Sequence, residues 1–428
     1  MKLTENMKIR FSRYMVKMEY ASEIVLANSL NGLWVKLSKE CYLILEKCIE
    51  EKMTMKYLMS CLADDEDRNY VRGLLQSLSD IDVIVNSEFA EKSLPKTFIF
   101  EITNHCNLAC KHCCFSVDYH KKEEALSTEQ IKIIFDKLIC VMPKAIVLSG
   151  GEAMHRMDFF ELLGYLRSKY VGTIGVMTNG TYINEENVRE LCSKIDTLDV
   201  SIDGVDEDSC AQIRGRGVFA KVVNAVELCK KQGLEKISLS MVVTKVNRHL
   251  IPEFYKLNER LGTIPMLRKF EVAGQGFVNK DLFLEEDQKN EFIVPAKETN
   301  ILSKEERLEA QRTRRIRTCE ACTGMLNIDY KGNMFPCQLL DKEEFVLCNL
   351  LEMSEEKFVS FIEEDIYKTK AFEAFDNIVP KKCKECSVSF FCITCYARLR
   401  EIQIQSQEYQ ERYCENMKFD LEQIVWDR

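Results

Sequence analysis

The chain has 428 residues, enough for two to three domains with cores of their own, and a formal net charge of -9. That acidic balance argues against a nucleic-acid partner, and no apolar run approaches the ~20 residues of a membrane helix. With no apolar signal-peptide core at the N-terminus, the 20 cysteines are expected to work reduced, in the cytoplasm, as ligands or core thiols rather than disulfides.

Residues 1–92 carry no cysteine motif and read as a separate small domain. Ile24 to Leu30 and Leu33 to Leu37 are β-prone runs joined by Asn31-Gly32, the strongest two-residue hairpin signal. Ser38 can cap a helix whose residues Cys41, Ile44, Leu45, Cys48 and Ile49 fall on one face. Two short helices, around Met53 to Cys61 and Arg68 to Leu78, and a closing strand Ile81 to Val85 complete the pattern. This winged-helix-like order resembles the RiPP recognition element, which binds leader peptides of ribosomally made natural products. A strand edge beside a helix can take up an extended peptide by β-augmentation. An inert or DNA-binding winged helix is the alternative, but DNA calls for a basic face, and Ala63-Asp64-Asp65-Glu66-Asp67 is acidic.

Thr97 to Thr103 reads as a buried strand and delivers Cys106-Asn-Leu-Ala-Cys110-Lys-His-Cys113. Three thiolates under a [4Fe-4S] cube leave one iron open to a small molecule, which points to catalysis rather than electron carriage. Core thiols or part of a zinc site are the competing readings. A second strand, Ala145 to Leu148, ends in Ser149-Gly150-Gly151-Glu152, where glycines permit close backbone approach and Glu152 can accept from an ammonium. Further strands run into Thr178-Asn179-Gly180, Ser201-Ile202-Asp203-Gly204 and Thr244-Lys245, with Phe270-Glu271-Val272 expected as the sixth. Amphipathic stretches at Gln130 to Leu138, Phe159 to Tyr170 and Phe219 to Lys231 alternate with them, as in parallel βαβ units. Cysteine run and Gly-Gly-Glu together resemble the radical S-adenosylmethionine (SAM) superfamily, although Ala153 stands where its members often have proline. The resemblance implies an α/β fold with a partial (β/α)6, TIM-like barrel over 93–276 and polar motifs at the C-terminal strand ends. It also implies SAM contacts from Gly150, Gly151, Glu152, Asn179, Ser201 and Arg214. For a lone Ser or Arg, a loop cap or a solvated face is the plainer reading. His112 is expected to pack rather than bind.

Residues 277–317 read as a bridge with a solvated helix at Lys304 to Arg315, and 318–428 as a cysteine-rich domain. Cys319, Cys322 and Cys337, then Cys383, Cys386, Cys392, Cys395 and the distant Cys414, resemble the SPASM extension. By that resemblance, Cys319, Cys322, Cys337 and Cys395 would hold one auxiliary [4Fe-4S] cluster, and Cys383, Cys386, Cys392 and Cys414 a second. Two residues precede Cys395 where the family usually has three, and Cys-x2-Cys pairs also serve zinc ribbons.

The resemblance implies three [4Fe-4S] clusters, SAM, and an external electron donor such as flavodoxin or ferredoxin. A 5'-deoxyadenosyl radical would take hydrogen from a precursor peptide, leading to a thioether or other cross-link. Alternatives are oxidation of a protein Cys or Ser side chain, as in anaerobic sulfatase-maturing enzymes, and a non-enzymatic iron–sulfur or zinc scaffold. No catalytic acid or base stands out, and Gly274-Gln275-Gly276 is too weak a signal to enter as a site.

Overall fold

The computed structural model describes residues 4–88, 96–115, 123–271, 273–283, 302–316, 319–392, 395–397, 399–400 and 407–427. The chain divides into two compact units. One joins Met1–Ser93, Val294–Glu320 and Asp376–Arg428, and the other joins Leu94–Ile293 and Ala321–Phe375. The expected domain at 318–428 is therefore split between them.

In the first unit, β1 (Ile9–Phe11) precedes an antiparallel meander of β2 (Met15–Tyr20), β3 (Glu23–Asn28) and β4 (Trp34–Ser38). Gly32, at φ 72°, closes the β3–β4 turn, and its N–H donates to the Asn28 carbonyl at 2.9 Å. Ser38 Oγ accepts from the Cys41 N–H and starts α1 (Lys39–Glu50), which buries Tyr42, Leu45 and Cys48. Ile44, expected on that buried face, is 42% exposed. Thr54 and Asp64 cap α2 (Met55–Ser60) and α3 (Asp65–Asp80). The acidic run is thus the first turn of α3, where the helix dipole favours carboxylates. The closing strand β5 (Ile84–Asn86) pairs with β1.

Strand alternation sends Ile24 and Leu26 into a core with Leu45, Leu75 and Leu78. Val25 and Ala27, on the other face of β3, pack with Ile316, Val388, Phe391, Leu421, Val425 and Trp426. Burial on both faces is why β3 reads as an unbroken apolar run. The C-terminal cysteine segment therefore shares a core with the N-terminal module.

In the second unit, β6 (Thr97–Glu101), β7 (Ala145–Ser149), β8 (Thr173–Thr178), β9 (Thr197–Ser201), β10 (Ile237–Val243) and β11 (Ile264–Lys269) are parallel neighbours in chain order. Between them run α4 (Thr128–Cys140), α5 (Phe159–Lys169), α6 (Val188–Lys194), α7 (Glu207–Arg214), α8 (Val218–Lys231) and α9 (Ile251–Leu261). The sixth strand is Ile264–Lys269, not the expected Phe270 to Val272, of which Val272 lies outside the described residues. Pro265 disguised it in the sequence; an edge strand tolerates proline because its outer N–H need not pair.

Phe98, Phe100, Ile146, Leu148, Ile174, Val176, Leu198 and Val200 face the helix-side core with Phe135 and Leu162. The alternate positions, Ile99, Glu101, Val147, Ser149, Asp199 and Ser201, face the barrel interior. Beyond β6 the sheet continues with β12 (Met325–Ile328), parallel to β6, and antiparallel β13 (Asn333–Phe335) and β14 (Cys348–Asn349). Residues 321–375 thus extend the barrel sheet. No helix among the described residues is long and apolar enough to cross a membrane.

Candidate active site

The loop after β6 brings the three expected cysteines together. Thr103 Oγ1 donates to Glu124 at 2.8 Å and accepts the His105 N–H, while Arg156 donates to the Ile102 and Leu126 carbonyls. Burial pushes the Cys106 thiol up to about 11, with the charges of Glu152, Cys110 and Cys113 adding to it. Burial also raises Cys110 and Cys113. Against this, the Leu108 N–H donates to Cys106 Sγ at 3.4 Å and Arg214 Nη1 to Cys110 Sγ at 3.7 Å. Three thiols within reach of each other's charge, two with N–H donors aimed at sulfur, fit thiolate ligands of a cluster.

The Gly-Gly-Glu loop follows β7 and lies against the cysteine loop. Gly151 and Glu152 donate their N–H groups to the Thr103 and His105 carbonyls at 3.0 and 2.8 Å. A Cβ on Gly150 would stand 2.4 Å from the Thr103 oxygen, and one on Gly151 2.4 Å from the His105 oxygen and 3.1 Å from Cys106 Cβ. Glycine is needed here for the approach of loop to loop. Glu152 is buried; its Oε1 accepts from the Met154 N–H and Thr178 Oγ1, and its Oε2 from the Asn179 N–H at 2.7 Å. Burial raises its carboxyl and these three donors oppose the rise. Both oxygens are therefore engaged by the protein, tying the β7 loop to the β8 loop. Asn179 then donates to Asn107 at 2.9 Å and reaches Cys106 Sγ at 3.9 Å.

Past β9, Asp203 is fully buried at φ 58°. Its Oδ2 accepts from Arg214 Nε and pairs with His112 Nε2, each at 2.6 Å, and its Oδ1 accepts the Val242 N–H. Burial pushes this carboxyl up, but Arg214 and His112 outweigh it and hold the group well below the usual carboxylate range. His112, expected only to pack, is thus a partner of Asp203; among the described residues its buried Nδ1 has no hydrogen-bond partner. Ser201 Oγ lies 3.3 Å from Ser240 Oγ, on the interior face.

Sequence reasoning missed Asp203 and the glycines of α10 (Gly274–Val278). A Cβ on Gly274, at φ 52°, would meet the Cys114 and Cys113 carbonyls at 2.8 and 2.9 Å, and the Gly276 N–H donates to the Cys113 carbonyl. The Gly-Gln-Gly run was visible; its role as a clamp on the cysteine loop was not. In the interior, Ser238 donates to Asp199, whose carboxyl burial raises and Arg268 opposes.

Of the C-terminal cysteines, the Cys383 thiol donates to Cys414 and lies within the field of Cys392. That bond, more than the opposing burial, holds Cys414 down to about 6. Cys386 and Cys392 border the apolar core around Phe391. Cys319 lies near Tyr396, whose hydroxyl is raised by burial and then by the Cys319 charge. Cys319 and Cys395 belong to the first unit, and Cys322 and Cys337 to the second. Cys322 is buried at φ 62° and donates its N–H to the Met325 carbonyl. Among the described residues, no group of three or more His, Cys, Asp or Glu is arranged to hold a single metal ion.

Residues 100–257 match the radical SAM superfamily. The chain is 34% identical over 184 residues to mycofactocin maturase MftC of Mycolicibacterium smegmatis, covering 42% of this chain and 46% of that one. It is 32% identical over 207 residues to the Fe-coproporphyrin III synthase of Methanosarcina barkeri, covering 47% and 51%. The chain spans about half the length of the curated relatives it matches. The crystal structure of Streptococcus suis SuiB bound to S-adenosylmethionine shares the fold at a TM-score of 0.54 and 15% identity, over 96% of this chain and 98% of that one.

Proposed function

From the radical SAM domain formed by residues 100–257, we infer that this chain is an enzyme that modifies a ribosomally synthesised precursor peptide, forming a thioether or other cross-link. The observation that carries the chemistry is the gathering of Cys106, Cys110 and Cys113 beside Glu152, Asn179 and Arg214 at the C-terminal ends of β6 to β9. Cys106, Cys110 and Cys113 would hold a [4Fe-4S] cluster, and Gly150, Gly151, Glu152, Asn179, Ser201 and Arg214 would position SAM. When bound, this pair of cofactors supplies a 5'-deoxyadenosyl radical able to take hydrogen from an unactivated C–H bond. The chain's own part is orientation. Asp203 holds Arg214 toward the Cys110 sulfur, and Glu152 locks the two loops that frame the site.

Peptide as substrate rests on the N-terminal module, whose meander leaves β4 at the sheet's edge beside α1 to α3, and on the maturase name that MftC carries. The synthase among the relatives is named for a porphyrin, so barrel likeness alone does not select a substrate. We assign Cys319, Cys322, Cys337 and Cys395 to one auxiliary cluster and Cys383, Cys386, Cys392 and Cys414 to another, with a flavodoxin or ferredoxin as electron donor in the cytoplasm.

The test is anaerobic reconstitution with iron and sulfide, followed by SAM, a strong reductant and small peptides encoded beside the gene. Release of 5'-deoxyadenosine with loss of two hydrogen atoms from a peptide supports the reading. A hydrazide-reactive aldehyde would instead indicate sulfatase-maturase-like oxidation of Cys or Ser. Nucleoside release with turnover of a porphyrin alone would sink the peptide.

A further inference from the structure

Glu101 ends β6 beside Ser149 of β7, five residues before the first cluster cysteine. Phe98 and Phe100 point to the helix-side core, so Ile99 and Glu101 face the barrel interior. On the other side of β6, Asn327 of β12 is in register with Ile99 and shares that face. Its Nδ2 donates to Glu101 Oε1 at 2.9 Å, from a side chain only 1% exposed. Among the described residues, Glu101 Oε2 accepts no hydrogen bond. The carboxyl, on the interior face of β6, thus has one oxygen anchored and one that no described residue engages by a hydrogen bond.

The charged groups acting on Glu101 are Asp329 and Asp341, beyond β12, and Cys114 of the cysteine loop lies within its field. The neighbour on β7 is Ser149, which carries no charge. Burial, opposed by the Asn327 bond and reinforced by the two aspartates, pushes the Glu101 carboxyl up to about 7. A group that titrates there can take up a proton and release it under working conditions.

Joining a substrate carbon to sulfur or nitrogen requires the heteroatom to lose its proton. We propose, on the strength of the peptide-modifying reading, that Glu101 is the catalytic base that accepts this proton at Oε2, with Asn327 holding it in place. The S–H or N–H bond breaks, its electron pair stays on the heteroatom, and Glu101 becomes the neutral acid. No electron is exchanged in this step.

The test uses the reconstituted full chain, SAM, reductant and the matched peptide, with Glu101→Gln and Glu101→Asp. Glu101→Gln should bind peptide and release 5'-deoxyadenosine within about threefold of wild type, while peptide product falls about 100-fold or more. Glu101→Asp should restore part of it. In wild type, product per deoxyadenosine should rise with pH through about 7, and in Glu101→Gln it should stay flat. A second readout needs no turnover. Unfolded Glu titrates near ~4.3, so between there and the raised folded value the folded chain alone holds the proton. Stability is then lost as pH rises through that window, and Glu101→Gln should melt higher than wild type at pH ~8 and gain nothing at pH ~4.5.

Full product from Glu101→Gln, or a melting difference independent of pH, would overturn the assignment and leave the peptide reading standing. Wild-type enzyme that releases deoxyadenosine but never changes a bound peptide would overturn both.

Discussion

Arg214 donates from Nε to Asp203 Oδ2 at 2.6 Å while its Nη1 stands 3.7 Å from the Cys110 sulfur. One buried carboxylate thereby fixes a cation against a thiol that burial pushes up, and the cation opposes that rise. The aspartate comes from the loop after β9 and the arginine from the end of α7, so this pair fastens two elements of the barrel to the cysteine loop.

Asp203→Asn should therefore cost stability as well as activity. Removing the acidic partner of a buried pair leaves Arg214 uncompensated, which is destabilising by about 3–5 kcal/mol. Because the folded aspartate titrates below its unfolded value of ~3.9, its contribution is present above that pH and lost as pH falls through the folded value. Urea unfolding of wild type and Asp203→Asn should differ most near neutrality, and the difference should begin to shrink only below pH ~4.

Cys110→Ala should remove about four of the roughly twelve irons expected for three cubane clusters and abolish 5'-deoxyadenosine release. Cys192→Ala, on α6 outside the loop, should leave both unchanged. Iron analysis beside chromatography of the nucleoside checks this, and full iron in Cys110→Ala would contradict the ligand set.

Gly151→Ala places a methyl 2.4 Å from the His105 oxygen and should cost about 1–3 kcal/mol, with weaker SAM binding, by forcing the two loops apart. Gly73→Ala meets nothing within 4 Å inside α3 and should stabilise by about 0.5–1 kcal/mol. Melting curves and SAM titration of the two variants make the comparison.

Trp426→Ala should loosen the N-terminal module although it lies at the far end of the sequence. Its side chain is 2% exposed, packs with Val25 and Ala27, and donates from Nε1 to the Ser387 carbonyl at 2.8 Å. Truncating such an aromatic costs about 3–5 kcal/mol. Hydrogen exchange at the β3 amides should accelerate. Deleting residues 1–92 would uncover the same core around Phe391, so point substitutions are the cleaner probe of peptide binding.

The parallel strands β6 to β10 were legible because two-sided burial writes them as apolar runs such as Ala145 to Leu148. The cysteine run and Gly-Gly-Glu were legible because their chemistry restricts residue type and spacing. Strand β2 was not: Lys17 and Glu19 interrupt its apolar positions, as an outer strand allows. Asp203 lay in plain view within a polar turn, yet only folding brings Arg214 and His112 to it. Glu101 and Asn327 are 226 positions apart, and no local pattern links them. The sharing of a core between β3 and the C-terminal segment is likewise a long-range pairing that periodicity does not encode.

Trp34 stacks edge-on against Phe391 at 5.1 Å, and Trp426 lies in the same cluster. These are the chain's two tryptophans. Intrinsic indole emission therefore arises from one unit alone. Because Phe391 sits next to Cys392, any metal or cluster added to the C-terminal cysteines is expected to change that emission, a label-free readout for the reconstitution test.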